Sequence, residues 1–183
     1  MGALKFRVLL DTEQESEIFR DILIDENDNF ESLYNAIIAS FRFQGDQMAS
    51  FYISNDNWDK GHEISLMDMN YGDEAVDEVA SVMSGAVLRD FMEVPDQKVI
   101  LVYDFLRMWI FLIELIETTD EIIDSPATVL AVGMAPPEDS RMAGIDEEEE
   151  DLLFDEDEDE FDEDDYEDGY SDEDINNLDE YEY

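Results

Sequence analysis

The chain offers few side chains able to do chemistry. It has one histidine, His62, and no cysteine, but 53 Asp and Glu against 9 Lys and Arg. Without cysteine there is no thiolate nucleophile and no disulfide framework. His62 follows Gly61 in a polar stretch that reads as a turn. A general base there needs a nucleophile to serve and a third group to hold it. The spacing supplies neither, so His62 reads as a solvated surface residue. Carboxylates are so abundant that finding a pair of them is uninformative. Their abundance suits Ca²⁺, but an EF-hand needs oxygen ligands at positions 1, 3 and 5, glycine at 6 and glutamate at 12. Anchoring on Gly169 puts Tyr166 third and Ile175 twelfth, and anchoring on Gly61 puts Trp58 third and Lys60 fifth. Both fail. There is no G-x-x-x-x-G-K and no G-x-G-x-x-G phosphate loop. No metal and no cofactor are expected.

The sharpest chemical feature is charge. The net charge is −44, and Asp146 to Tyr183 contains 24 acidic residues and no basic one. The first 145 residues therefore hold the other 29 acids and all 9 basic residues. Ordering a residue costs about 1–2 kcal/mol of backbone entropy. So charged a segment buries too little apolar surface to offset that, which predicts a disordered acidic tail over residues 143–183. Aromatics interrupt the acids, and Phe154, Phe161, Tyr166 and Tyr170 are candidate anchors. Acids can steer and rings can anchor on a basic, partly apolar protein surface. A purely solubilising tail is the plainer alternative. Direct binding of nucleic acid is disfavoured, because binders neutralise phosphates with clustered Lys and Arg.

No secretory signal is visible at the N-terminus, and with the lack of cysteine this predicts a cytoplasmic location. The longest apolar stretch, Val99 to Ile116, contains Asp104, Arg107 and Glu114. Each costs about 2.5–3.5 kcal/mol at a bilayer centre, so a buried β-hairpin is expected and no membrane span.

Periodicity places the elements. Leu4, Phe6, Val8 and Leu10 share one face with Lys5 and Arg7 on the other, and Glu17 to Ile24 alternates less strictly, predicting a β-hairpin. Asp28 with Glu31 reads as a capping box. Phe30, Leu33, Ile37, Ile38 and Phe41 then recur at helical spacing, with Gly45 a candidate for the helix C-terminal region. Met48 to Ser54 reads as a strand, Asn55 to Gly61 as a turn, Asp73 to Met83 as a helix and Val87 to Met92 as a short helical turn. Lys98 to Phe105 and Met108 to Glu117 are the strongest strands. Being apolar on both faces, they should lie centrally and be covered on each side. Ser125-Pro126 and Ala135 to Asp139 read as loop. The expected architecture is α+β: one domain, residues 1–142, with a mixed or antiparallel sheet, an N-terminal ββαβ unit and a central C-terminal β-hairpin.

The stretch Val102 to Leu115 and the later Pro136-Pro-Glu-Asp139 resemble the Ri-plasmid ORF-3-like family, also called the insertion-sequence passenger TnpR family. Its hallmark resembles Y-D-F-G-D-x-W-x-H-x-I-x-L followed by P-P-E-D. Tyr103, Asp104, Phe105, Trp109, Ile113 and Leu115 match, as do Pro136, Pro137, Glu138 and Asp139. Leu33 to Phe41 and Asp46 to Tyr52 resemble the family's helix and following strand. The chain departs at Leu106-Arg107 in place of Gly-Asp, at Phe111 and Gln47 in place of two histidines, and at Ser140-Arg141 in place of Gly-Gly. The resemblance implies an α+β fold and no established activity. It also implies a candidate surface of Asp104, Trp109, Glu138 and Asp139. The serine-recombinase chemistry that the TnpR label suggests needs a nucleophilic serine among clustered arginines, which this chain does not supply.

The sequence thus predicts a non-catalytic interaction module whose acidic tail binds a basic protein surface. A small ligand-binding or hydrolytic domain is the alternative, and requires Asp104 and Glu138 to converge in a pocket. A second alternative is a nucleic-acid mimic, with ordered carboxylates standing in for phosphates. The oligomeric state is open.

Overall fold

In the computed structural model, residues 2–68 and 81–142 are described, all within a unit spanning Met1–Gly144. The expected acidic tail, with Phe154, Phe161, Tyr166 and Tyr170, lies outside them. So does most of the helix expected over Asp73 to Met83.

Alternating apolar residues set the sheet. β1 (Ala3–Leu10) turns Leu4, Phe6, Val8 and Leu10 into the core. β2 (Phe19–Asp25) pairs antiparallel with it, setting Ile22 opposite Phe6. β3 (Ala49–Ser54), β4 (Lys60–Ser65), β5 (Ser81–Val82), β6 (Lys98–Tyr103), β7 (Trp109–Thr119) and β8 (Ala127–Val132) complete a mixed eight-stranded sheet, ordered β5-β4-β3-β6-β7-β1-β2-β8. Neighbours run antiparallel except β4 and β5, which are parallel.

β6 and β7 lie in the middle, as their apolar composition requires, but they are covered unequally. Every residue of β6 after Lys98 is buried. In β7 only alternate residues are, and Ile110, Leu112, Glu114 and Ile116 stay half-buried. The expectation that both strands are covered on each side is corrected to that extent. The one α-helix described packs on the face that carries Phe51 and Phe111. On the other face, long side chains shield the sheet. Arg7 lies over the Phe19 ring at 4.6 Å and Lys60 over Tyr52 at 5.0 Å.

That helix, α1 (Phe30–Phe41), buries Phe30, Leu33, Tyr34, Ile37, Ile38 and Phe41. Full burial of such a side chain stabilises by about 1.5–3 kcal/mol, which outweighs the propensity terms. Its ends differ from expectation. The N-cap is Asn29, not Asp28, and its side chain accepts from the Ser32 amide at 2.9 Å. The left-handed C-cap is Arg42, φ 60°, with its N–H directed to the carbonyls of Ala39 and Ile38. Gly45, φ 76°, takes the next sharp turn.

Three strands, β4, β5 and β8, were not foreseen. β4 opens at Lys60 inside the expected turn, because Lys60 to Glu63 are exposed and show no apolar alternation. β8 lies between the two stretches expected as loop, where no element was expected, and is exposed along its whole length. The described end of the expected Asp73–Met83 helix is extended at Ser81–Val82 and then turns once as a 3₁₀ helix, Met83–Gly85. The short turn expected over Val87 to Met92 is a 3₁₀ turn at Leu88–Asp90.

Candidate functional site

Asp104, Trp109 and Glu138 meet at the mouth of the β6–β7 hairpin, and each is held by a bond that can be named. Asp104, φ 59° and buried, ends β6. Its Oδ1 accepts from the amides of Leu106 and Arg107 at 3.0 and 3.2 Å. Its Oδ2 faces Arg107 Nη1 at 3.5 Å. The carbonyl of Asp104 accepts from the Met108 amide at 2.6 Å and its N–H donates to Met48. Asp104 is therefore the scaffold of a tight turn, as short acidic side chains favour.

Tyr103 points into the core face, and its hydroxyl donates to Glu138 Oε1 at 2.5 Å. Glu138 Oε2 accepts from the Gln44 amide at 2.7 Å. The Gly45 amide donates to the Tyr103 oxygen at 3.1 Å, and Asp46 Oδ1 lies 3.4 Å from it. Trp109, also buried, donates its indole N–H to the backbone carbonyl of Glu138 at 3.1 Å. Arg141 covers the same indole, 5.1 Å from the ring, and donates to the Met108 carbonyl at 2.6 Å. Arg107 closes the ring of contacts by donating to the Arg141 carbonyl at 3.0 Å. Pro137 to Ser140, in a single 3₁₀ turn, is thus riveted to the hairpin and to the segment after α1. Asp139 is exposed and takes no part.

The electrostatics favour neutral phenols. Burial, the Glu138 hydrogen bond and its charge all push the Tyr103 hydroxyl well above the ordinary tyrosine range. Tyr34 lies near, tilted against Tyr103 with ring centroids 6.4 Å apart. Its hydroxyl is pushed up to about 12 by burial and the charges of Glu138 and Asp46. That hydroxyl is buried and has no hydrogen-bond partner among the described residues.

Of the four positions singled out from sequence, the structure brings Trp109 and Glu138 together, places Asp104 in the turn and leaves Asp139 outside. Tyr34, Phe43, Gln44 and Arg141 belong to the cluster and were not anticipated. Phe43 lies among Tyr103, Trp109 and Phe111 with centroids 5.8, 5.1 and 5.9 Å away. Only its apolar type, two residues past the helix stripe, hinted at burial. Phe111, the position at which the resemblance implied a histidine, is wholly inside the core.

Among the described residues, none of the grooves is lined by Asp104 or Glu138. Of two grooves, one of about 420 Å³ lies elsewhere, and one of about 650 Å³ is bordered by Pro136 and Pro137 but by neither carboxylate. His62 is exposed, bonded to the Ser81 hydroxyl at 2.6 Å and stacked on Phe91. No acidic group holds its other nitrogen among the described residues. Those residues also contain no group of three His, Asp or Glu able to hold a metal ion, and no helix long and apolar enough to cross a membrane.

The arrangement of the Tyr103 and Trp109 hairpin with the Pro-Pro-Glu-Asp segment has a counterpart at the level of the whole chain. Residues 2–180 match the family model of plasmid pRiA4b ORF-3-like proteins. The chain belongs to this family. The ORF-3-like match runs past the described residues and through most of the acidic segment. A crystal structure of a protein of unknown function from Methanosarcina mazei Go1 has a similar fold. The TM-score is 0.64 at 19% identity, over 78% of this chain and 76% of that one. No curated protein matches the sequence. At that identity, the archaeal structure shows a shared fold for this ORF-3-like protein.

Proposed function

We propose that this ORF-3-like protein is a non-catalytic, cytoplasmic interaction module whose acidic C-terminal segment captures a basic protein surface. The observation that carries this reading is the run of 24 acids without a basic residue, interleaved with Phe154, Phe161, Tyr166 and Tyr170. Long-range attraction brings a basic partner in, and desolvated rings then slow its departure. The hairpin motif supports the same reading. Asp104 and Glu138, the carboxylates a hydrolytic site would use, are committed to backbone amides and to Tyr103. The α+β body then serves as a platform, its C-terminal segment clasped at the hairpin mouth.

The test is affinity capture from cell extract with the full chain and with a chain lacking residues 146–183, at low and high salt. Partners should be retained only by the full chain and released by salt. Retention that survives the deletion would remove the acidic segment as the binding element. Capture of a DNA-binding protein, competed away by duplex DNA, would shift the reading to nucleic-acid mimicry.

A further inference from the structure

β8 is an edge strand whose own residues carry one of the usual protections of an edge, a bulge, and no charge or proline. Its sequence is Ala-Thr-Val-Leu-Ala-Val, every residue is exposed, and it pairs with β2 alone among the described strands. Edges that must stay single are kept very short, carry charge or proline, or are twisted away by bulges. The opposite edge follows that rule, since β5 has two residues and β4 beside it carries Lys60, His62 and Glu63. β8 instead shows water Val129 and Leu130, 51% and 44% exposed, and leads into Met134 at 88%. A register shift opposite Asp21 and Ile22 makes Val129 a bulge, the one irregularity in the strand.

Charge is polarised along this edge. Asp120, Glu121 and Asp124, all exposed, precede it. At its other end Ala131, Gly133, Met134 and Pro136 line the groove of about 650 Å³, together with Arg20 and Arg42. Neither arginine has a carboxylate partner among the described residues. Arg20 gives its hydrogen bonds to three backbone carbonyls, and the Arg42 side chain makes none. Elsewhere in the body Lys5, Arg7, Arg89, Lys98 and Arg107 all face acids.

We infer that β8 is a seat for a second copy of this chain, the two β8 strands pairing antiparallel about a two-fold axis at Leu130. The sheets of the two copies then run on as one. Leu130 meets its own counterpart, and the Val129 bulge lies to one side of that pair in each copy. Asp124 of each copy comes opposite Pro136 of the other, at the mouth of the groove that holds Arg20 and Arg42. An edge acidic at its start and basic at its end is complementary to its own reverse. A uniformly basic strand would meet Arg20 and Arg42 at one end. The −44 charge of each chain opposes the encounter at low salt. At physiological ionic strength, charges beyond about 8 Å are largely screened, so association should strengthen as salt is raised from low levels. This surface lies on the body and stands or falls independently of the acidic-segment reading.

Sedimentation equilibrium of the full chain, over a wide range of concentration, tests it. A monomer–dimer equilibrium is expected at physiological salt. Leu130→Lys puts two ammonium groups face to face and should give a monomer with an unchanged circular dichroism spectrum. Asp124→Arg should weaken dimerisation about tenfold, the scale of one close charge pair. Adding Arg42→Asp, a residue type that tolerates the left-handed backbone there, should restore it. A monomer at every concentration and salt overturns the inference. So does a dimer indifferent to Leu130→Lys.

Discussion

The Tyr103 hydroxyl donates to Glu138 across 35 residues of sequence, at 2.5 Å. This bond joins the end of a central strand to a loop that has no apolar residue in the core cluster beyond Ala135. The clasp should therefore depend heavily on it. Hydrogen bonds to charged groups contribute about 1.5–3 kcal/mol, and Glu138 makes two. Glu138→Ala should lower stability to urea by about 2 kcal/mol and expose Arg141 to trypsin. Unchanged stability together with unchanged cleavage at Arg141 would show that the clasp does not hold the loop.

Tyr34 carries a prediction of the opposite sign. Its buried hydroxyl has no hydrogen-bond partner among the described residues, and an unsatisfied buried polar group costs about 1–3 kcal/mol. Tyr34→Phe should raise stability at neutral pH by about 1 kcal/mol. The phenol also sets a pH dependence. Its folded value is about 12 against an ordinary 10.0. The unfolded chain therefore loses its proton first, and stability falls as pH climbs from 10.0 towards about 12. Unfolding curves across that interval should be shallower in their pH response for Tyr34→Phe. A variant that is weaker at neutral pH would mean that the hydroxyl is bonded after all.

The helix cap separates two adjacent residues that sequence treats alike. Asn29 accepts from the Ser32 amide and its amide group donates to the Ser84 carbonyl at 3.0 Å. Asn29→Ala should cost about 1–2 kcal/mol. Asp28 caps nothing, and burial and Asp25 push its carboxyl above the ordinary range. Asp28→Asn should be neutral or mildly stabilising at pH 7. Equal losses in urea from the two substitutions would sink this assignment.

Met108, φ 55°, holds a left-handed conformation at the exit of the β6–β7 turn. A side chain there costs about 1–2 kcal/mol that glycine avoids, less glycine's own entropy. Met108→Gly should raise the melting temperature, with a gain of about 0.5–1 kcal/mol, and Met108→Ala should not. A glycine variant that melts no higher than the alanine variant would show that the turn is unstrained.

What was legible in the sequence follows burial. Leu4 to Leu10 and Phe30 to Phe41 announced a strand and a helix because one face of each enters the core. β8 carries the same apolar types, but all of them face water, and no period distinguishes an exposed edge from a loop. Asp104 was readable as a turn residue, since it bonds the amides just after it. The clasp was not. Trp109 binds a backbone carbonyl of Glu138, which every residue type possesses. The two sides of that contact also lie 29 residues apart. The cap slipped by one position because Asp28 and Asn29 are both good capping types. Only the reach of Asn29 to Ser32 and its bridge to Val87 decided between them.

Arg20 gives one planar group to three neighbours: the Ser40 carbonyl in the last turn of α1, the Phe19 carbonyl and the Val132 carbonyl at the end of β8. The final turn of the helix and the tip of the outermost strand are therefore tethered through a single cation. A pull on the rim of the sheet loads the helix terminus directly, without first deforming the core between them. Cutting the tether with Arg20→Met would let rim and helix fray separately, so that amide exchange at Val132 would no longer track that of the final turn of α1.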